Sequence, residues 1–166
     1  MNRKLSVTII TLNEEKNIER CLRSVQWADE IIVTDSGSTD RTVEICRKYT
    51  DKVLQIEWLG FGKTKKFAVD AATNDWIFSI DADEQVTDEL KNKIQQIMKK
   101  PSAQAYRIKR KSLYLGKIIN HCGWGRDYPL RLFDRKAGNF NDKLVHETVE
   151  ITGKILKINE PLLHYT

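Results

Sequence analysis

Several classes of protein are excluded by what this chain of 166 residues lacks. It has only three prolines and eight glycines, and no repeat or low-complexity tract, so a disordered or fibrous chain is not expected. No apolar run approaches the ~20 residues that a membrane-spanning helix needs. Three cysteines are too few for a disulfide framework. Because 40% of the residues are apolar, we expect one sizeable core and a single domain over 1–166.

The cysteines and the N-terminus favour a cytoplasmic protein. Cys21 and Cys46 fall on apolar positions of helical patterns, which is typical of buried reduced thiols. Cys122 follows His121, but no second pair of ligands stands at zinc spacing, so a zinc site is not expected. The N-terminal apolar stretch is too short for a signal peptide.

The formal net charge of +5 favours an anionic partner. Nucleic acid, an acidic membrane surface and a phosphorylated substrate all fit this charge. The basic residues are scattered, apart from short runs at 99–100 and 109–111, and such runs are usually solvated surface. Charge alone therefore does not choose between the three partners.

Apolar runs alternate with helical patterns over the first hundred residues. The runs predict strands at 5–10, 31–33, 53–56 and 76–80. Helical spacing predicts helices around 18–25, 43–49 and 67–71, and a fourth helix at 90–98 that Thr87 can cap. Thr11 and Glu14 offer a capping box for the first helix. Strict alternation predicts a Rossmann-like α/β fold, with a mostly parallel sheet covered by helices on both faces.

The pattern changes after Pro101. Alternating residues at 106–110 and apolar runs at 130–133 and 155–158 predict further strands, and we expect this half to extend the sheet in a mixed fashion. The chain stops directly after a strand-like segment, so we also expect a C-terminal tail that this sequence lacks.

Polar residues follow three of the predicted parallel strands. They occupy 11–14, 35–40 and 81–84, and ligands of such sheets bind outside the carboxyl ends of the strands. Asp81 and Asp83 can both reach one cleft if the chain turns there, and two unpaired carboxylates recruit a cation. Oxygen ligands favour Mg²⁺ or Mn²⁺, which also bind diphosphate oxygens. The alternative is a pair of solvated acids in a surface loop.

The segment 35–40 (DSGSTD) has the composition of a tight turn. Asp35 could accept a hydrogen bond from a nucleobase imide. Alternatively the segment is a turn and helix cap, with Thr39 or Asp40 at the cap position. Both interpretations can hold together.

Three motifs in order, at 6–15 (SVTIITLNEE), 31–42 (IIVTDSGSTDRT) and 81–83 (DAD), resemble the family 2 inverting glycosyltransferases with the GT-A fold. The resemblance implies a metal-dependent hexosyltransferase whose first half, 1–100, binds the nucleotide-sugar and whose second half, 101–166, binds the acceptor. It implies Mn²⁺ or Mg²⁺ as cofactor, held by Asp83 with Asp81. The implied nucleotide-sugar contacts are Thr11, Leu12, Asn13, Glu14, Asp35, Ser36, Gly37, Ser38, Asp81 and Ala82. Lys65 falls where the family often carries an arginine, and lysine there keeps the charge without the bidentate fork.

Residues 60–62, 125–133 and 143–148 resemble the bacterial lipopolysaccharide inner-core β-1,4-glucosyltransferases. This likeness implies UDP-glucose as donor, a phosphorylated lipid-linked glycan as acceptor, and peripheral contact with the anionic inner face of the cytoplasmic membrane.

An inverting reaction needs a general base on the acceptor side. Glu147, beside His146, matches the family best, and Asp127 is second. Trp124 and Tyr128 could stack on a sugar, or simply pack. Arg126 and Arg131 could bind acceptor phosphate, although Arg131 could equally pair within the fold. His164 is either a further metal ligand or a packing residue, and packing is the better prediction.

Other functions have weaker support in the sequence. A glycosyltransferase that acts on polyprenyl phosphate is the nearest alternative. A nucleotidyltransferase would usually have a glycine-rich basic loop after the first strand, where this chain is acidic. A nucleic-acid-binding module would have a clustered basic helix or paired aromatic motifs, which the chain lacks. A non-catalytic binder of nucleotide-sugars also fits the residues.

Overall fold

Buried strands alternate with helices along the first half of the chain, as the sequence predicts. The computed structural model describes residues 3–114, 117–118, 127–141 and 148–165. The elements of the first half are β1 (Leu5–Thr11), α1 (Ile18–Val25), β2 (Glu30–Asp35), α2 (Thr42–Cys46), β3 (Val53–Gln55), α3 (Phe61–Asp70), β4 (Trp76–Asp81), β5 (Glu84–Val86) and α4 (Asp88–Lys99).

The first half forms the parallel part of one mixed sheet. β1 lies between β2 and β4, and β3 lies outside β2, with all four strands parallel. The register pairs Thr11 with Asp35 on one side of β1 and Ile10 with Asp81 on the other. The carboxyl ends of β1, β2 and β4 are therefore level with one another at one edge of the sheet.

The second half extends this sheet with antiparallel and parallel pairs, which confirms the predicted mixed arrangement. Its strands are β6 (Ala105–Tyr114), β7 (Lys117–Ile118), β8 (Leu130–Asp134), β9 (Gly138–Phe140), β10 (Val149–Ile151) and β11 (Ile155–Tyr165). β8 runs antiparallel to both β4 and β6, and β11 is parallel to β6 and antiparallel to β5. β9 and β10 form a separate two-stranded sheet.

Helices cover both faces of the sheet, because neighbouring strand residues point to opposite sides. Phe78 packs in a cluster with Leu22 of α1 and Leu90 of α4. Ile77, one residue earlier, packs in the other cluster with Val69 of α3 and residues of the β9–β10 pair. Each face of the central strands is therefore sealed from water.

Cys21 and Cys46 are both buried and unpaired by a disulfide, as the sequence predicts. Burial raises the pKa of the Cys46 thiol to about 12, so it stays protonated at neutral pH. The predicted exclusion of zinc at Cys122 and His121 concerns residues outside those described.

Helix starts were the least accurate predictions. The Thr11–Glu14 capping box is wrong, since β1 continues through Thr11 and α1 begins only at Ile18. Thr87 does cap α4, where its side chain accepts a hydrogen bond from the Leu90 amide. α3 begins six residues before its predicted region. The apolar pattern did not show this start, because the first turns of α3 bury Gly62, Thr64 and Lys65 rather than apolar residues. Within the described ranges, no helix has the length and apolarity that spanning a bilayer requires.

Candidate active site

The strand-end loops of the parallel half meet around one cavity of about 360 Å³. Its lining residues are Ile10, Thr11, Leu12, Glu14, Trp58, Phe61, Asp81, Ala82, Asp83 and His164. Six predicted nucleotide-sugar or metal residues are in this lining. The structure thus brings together residues from β1 and β4 that are about seventy positions apart in the sequence.

Asp81, at the end of β4, lies between two buried cations. Its Oδ1 is 3.0 Å from Lys65 Nζ, and its Oδ2 accepts a hydrogen bond of 2.6 Å from Arg131. Burial raises the pKa of Asp81, but Arg131 and Lys65 outweigh burial and hold the pKa well below its ordinary value. Asp81 is therefore a fixed anion, and each of its oxygens already has a cationic partner. Its predicted role as a metal ligand stays a prediction.

Arg131 of β8 also holds a second carboxylate, that of Glu84, at 2.7 Å. Glu84 is fully buried, and it accepts a hydrogen bond from the Asp81 amide. Burial raises the pKa of Glu84, although Arg131 opposes this increase. Arg131 is only 4% exposed, so it pairs within the fold, which was one of the two alternatives for this residue. Its contact with an acceptor stays a prediction.

Asp83 differs from Asp81 because one of its carboxylate oxygens has no partner. Oδ1 is buried without a hydrogen bond from any described residue. Oδ2 lies 3.2 Å from His164 Nε2, and His164 Nδ1 lies 3.1 Å from the Ser112 hydroxyl. The contact with Asp83 raises the pKa of His164 despite its burial.

A buried carboxylate oxygen without a partner is costly, and a cation would satisfy it. The donor set of one carboxylate and one imidazole fits Mn²⁺ or Mg²⁺ less closely than an all-oxygen set, but Mn²⁺ accepts imidazole. Among the described residues no group of three or more acids, histidines and cysteines surrounds a single point.

Asp35 closes the turn after β2. Its Oδ2 accepts hydrogen bonds from the amides of Gly37 and Ser38, and its Oδ1 accepts one of 2.5 Å from the Ser38 hydroxyl. Gly37 has a φ of 95°, which favours glycine at this position. Asp35 is fully buried and is not in the cavity lining, so the turn interpretation holds. Its contact with a nucleobase stays a prediction.

Asn13 joins the β1 loop to this turn. Its amide donates to the Ser38 hydroxyl at 2.8 Å, and its side-chain oxygen accepts from the Thr39 amide at 2.8 Å. The Ser36 amide donates to the Thr11 carbonyl at 3.0 Å. The predicted segments 11–14 and 35–38 are therefore one hydrogen-bonded unit beside the cavity.

A second cavity, of about 440 Å³, is lined mainly by residues of the second half of the chain and shares Asp81 with the first. Arg107, Arg110 and Asp127 line it together with Lys65, Arg131, Phe140 and neighbouring residues of β8 to β10. Asp127 forms an ion pair of 2.7 Å with Arg110, which also lies 3.5 Å from Glu84. A chain of alternating charges thus connects the two cavities.

Of the other residues predicted for the acceptor side, Tyr128 is described by the structure and the rest are not. Tyr128 donates a hydrogen bond to Asn159 at 3.0 Å, and Lys157 lies over its ring. Glu147, His146, Trp124 and Arg126 lie outside the described residues, so their predicted roles stay predictions.

Sequence reasoning missed Trp58, Phe61 and the burial of Glu84. Trp58 follows β3, so the rule that ligands bind at strand ends already pointed to its loop. That loop has no acidic or hydroxyl cluster, so its composition does not indicate a site. Nothing in the sequence indicated that Glu84, one residue after Asp83, is buried against Arg131, which is 47 positions away.

The sequence profile described as "Glycosyl transferase family 2" matches residues 6–147, which is most of the chain. The chain belongs to this family. The match confirms the resemblance of the three sequence motifs.

The relatives include an uncharacterised glycosyltransferase of Rickettsia typhi, which is 35% identical over 99% of this chain and 61% of its own length. The lipopolysaccharide core biosynthesis glycosyltransferase LpsC of Rhizobium meliloti is 29% identical over 91% of this chain and 58% of its own. The chain therefore spans about three fifths of the length of these relatives.

Solved structures confirm the fold class. S. aureus TarS 1–349, in complex with UDP-GlcNAc, is 28% identical with a TM-score of 0.60, over 71% of this chain and 37% of that one. Glucosyl-3-phosphoglycerate synthase from Mycobacterium tuberculosis, in complex with Mn²⁺, UDP and glucosyl-3-phosphoglycerate, is 26% identical with a TM-score of 0.55, over 65% of this chain and 44% of that one. Both are GT-A glycosyltransferases.

Replacing Arg131 tests the buried charge network. We expect Arg131→Met to lower the free energy of unfolding by about 3–5 kcal/mol, because it leaves Asp81 and Glu84 buried without their shared cation. The double variant Arg131→Met with Glu84→Gln should recover part of this loss. Urea denaturation measures both, with Arg41→Met, which removes an exposed ion pair with Glu15, as the control. The account would be contradicted if the free energy of unfolding of Arg131→Met lay within about 1 kcal/mol of the parent value, since a surface ion pair contributes no more than that.

Proposed function

We propose that this chain is the catalytic domain of an inverting glycosyltransferase that transfers a sugar from a UDP-sugar to a glycan acceptor. The observation that carries the proposal is the cavity at the carboxyl ends of β1 and β4, where buried Asp83 Oδ1 has no partner. Family membership and the UDP ligands named for TarS and the mycobacterial synthase support the same donor class.

Asp83 and His164 are the proposed protein ligands of the metal ion. A bound Mn²⁺ or Mg²⁺ would supply positive charge to the diphosphate leaving group. The Mn²⁺ named for the mycobacterial synthase supports this cofactor. Asp83 contributes a carboxylate oxygen that is buried from solvent. The hydrogen bond between Ser112 and His164 orients the imidazole.

Asp81 is the proposed partner of donor sugar or ribose hydroxyls, since it lies in the walls of both cavities. Lys65 and Arg131 keep Asp81 ionised and fix its position. Lys65, which lines the second cavity beside Asp81, is the proposed second positive charge for the leaving diphosphate. The segments 11–14 and 35–38 hold the nucleoside.

The general base is proposed to be Glu147, with Asp127 second. Asp127 lies in the acceptor cavity, where its carboxylate is already engaged in an ion pair of 2.7 Å with Arg110. The base removes the acceptor hydroxyl proton while the sugar carbon is attacked from the face opposite the diphosphate.

The acceptor is proposed to be a phosphorylated lipid-linked glycan such as a lipopolysaccharide core, and the donor UDP-glucose. Arg107 and Arg110 in the second cavity suit an anionic acceptor, and the name of LpsC supports this class. Action at the inner face of the cytoplasmic membrane follows from such an acceptor. A polyprenyl phosphate acceptor would use the same basic residues.

Asp83→Asn tests the donor site. We expect the parent chain to gain thermal stability from UDP only when Mn²⁺ is present, and the variant to lose this gain, because the amide removes the anionic ligand. A thermal-shift titration measures the effect, with Asp51→Asn, an exposed aspartate remote from the cavity, as the matched control. An equal shift by UDP in parent and Asp83→Asn would argue against the metal role. GDP- and dTDP-sugars in the same assay test which nucleobase the donor site accepts.

Glu147→Gln tests the choice of base catalyst. We expect turnover to fall by at least ~100-fold with UDP affinity unchanged, as for loss of a general base. Asp127→Asn should have a smaller effect on turnover. Release of UDP from UDP-glucose in the presence of acceptor measures both variants. Near-normal turnover of Glu147→Gln together with a collapse in Asp127→Asn would transfer the role to Asp127.

A further inference from the structure

Two exposed aromatic side chains form an apolar corner in the wall of the donor cavity. Trp58 is 47% exposed and Phe61 is 50% exposed, and their rings meet edge to face with centroids 4.8 Å apart. Leu12, which is 46% exposed, lines the same cavity. Single exposed apolar residues are ordinary, but three of them around one cavity mark a binding surface.

The backbone fixes this apolar corner at the strand ends. The loop after β3 is anchored by a hydrogen bond of 2.9 Å from the Ile56 amide to the Asp35 carbonyl. Gly60 then turns the chain with a φ of 88°, and its carbonyl accepts from the Thr64 amide at 3.0 Å as α3 begins. Phe61 is the first residue of α3, which packs against β1 and β2. The corner is therefore held by the same elements that form the rest of the cavity.

The cavity is divided along the sheet edge into an apolar end and an acidic end. In the strand order β3, β2, β1, β4, the apolar corner belongs to β3 and β1, and Asp81 and Asp83 follow β4. The second, basic cavity opens beyond Asp81 on the side of β8. A sugar that is transferred must lie near that second cavity, so the far end is left for the other end of the nucleotide.

Besides Asp83 Oδ1, another buried polar atom of the cavity lining has no partner among the described residues. Thr11 lines the cavity, is only 5% exposed, and its hydroxyl makes no hydrogen bond with any described residue. A flat ring with polar edges would satisfy both features, because its face packs on aromatic side chains and its edge can bond the hydroxyl.

We propose that Trp58 and Phe61 form an aromatic wall that packs on the nucleobase of the donor, while the Thr11 hydroxyl bonds an edge of the base or its ribose. This inference rests on the proposed function, since it names the residues that bind one part of the same donor. It makes Trp58 and Phe61 donor-affinity residues with no part in the chemical step.

The test measures the dissociation constants of UDP and UDP-glucose by calorimetry in the presence of Mn²⁺. Trp58→Ala and Phe61→Ala should each weaken both ligands by the same factor of roughly 10, the size expected for loss of one base–aromatic contact. Trp58→Phe should retain most of the affinity. Phe67→Ala is the matched control, since Phe67 is an exposed phenylalanine of the same helix that does not line the cavity.

The outcomes separate this inference from the proposed function. Unchanged affinity for UDP in both alanine variants, with parent-like binding otherwise, would overturn the aromatic wall and leave the function standing. Weaker binding of UDP-glucose alone would place the wall against the sugar and would also overturn the inference. If the parent chain bound neither ligand with Mn²⁺, the proposed function would fail, and the inference with it. Circular dichroism of each variant confirms that a loss of affinity is not a loss of fold.

Discussion

The ion pairs of Arg131 with Asp81 and Glu84 are the interaction on which the site depends. Arg131 belongs to β8, in the second half of the chain, and its two partners lie at the end of β4 and the start of β5 in the first half. Two carboxylates packed so closely would repel each other, and burial would add to the cost. The shared guanidinium offsets both effects. The mixed half of the sheet therefore completes the acidic edge of the parallel half.

This arrangement gives the two neighbouring aspartates different properties. The negative charge of Asp81 is balanced by Lys65 and Arg131, whereas Asp83 keeps one buried oxygen without a partner among the described residues. This difference supports Asp83, rather than both aspartates together, as the proposed metal ligand. Asp81 also borders both cavities, so the two cavities are direct neighbours. In the proposed function this is where donor sugar and acceptor meet.

The sequence was most informative where local pattern and position in the sheet coincide. β1, β2 and β4 were predictable from buried apolar runs, and the strand-end rule then selected residues around Asp81 and Asp83 correctly as neighbours of one cavity. Contacts between distant segments were not predictable: burial of Glu84 depends on Arg131, and the corner of Trp58 and Phe61 depends on the turn at Gly60. β11 was predicted as four residues and has eleven. The prediction was short because the register of β11 shifts between Ile158 and Leu162, next to Pro161, and this irregularity interrupts the alternation of apolar and polar residues along the strand.

The central claim is that nucleotide and metal ion share the cavity at the ends of β1 and β4. A crystal structure of the chain with UDP and Mn²⁺, with data collected at the manganese absorption edge, tests it most directly. We expect one anomalous peak within coordination distance of Asp83 Oδ1, about 2.2 Å, with diphosphate oxygens on the same ion and the base against Trp58 and Phe61. A manganese peak remote from Asp83, or UDP bound on another surface, would contradict the account.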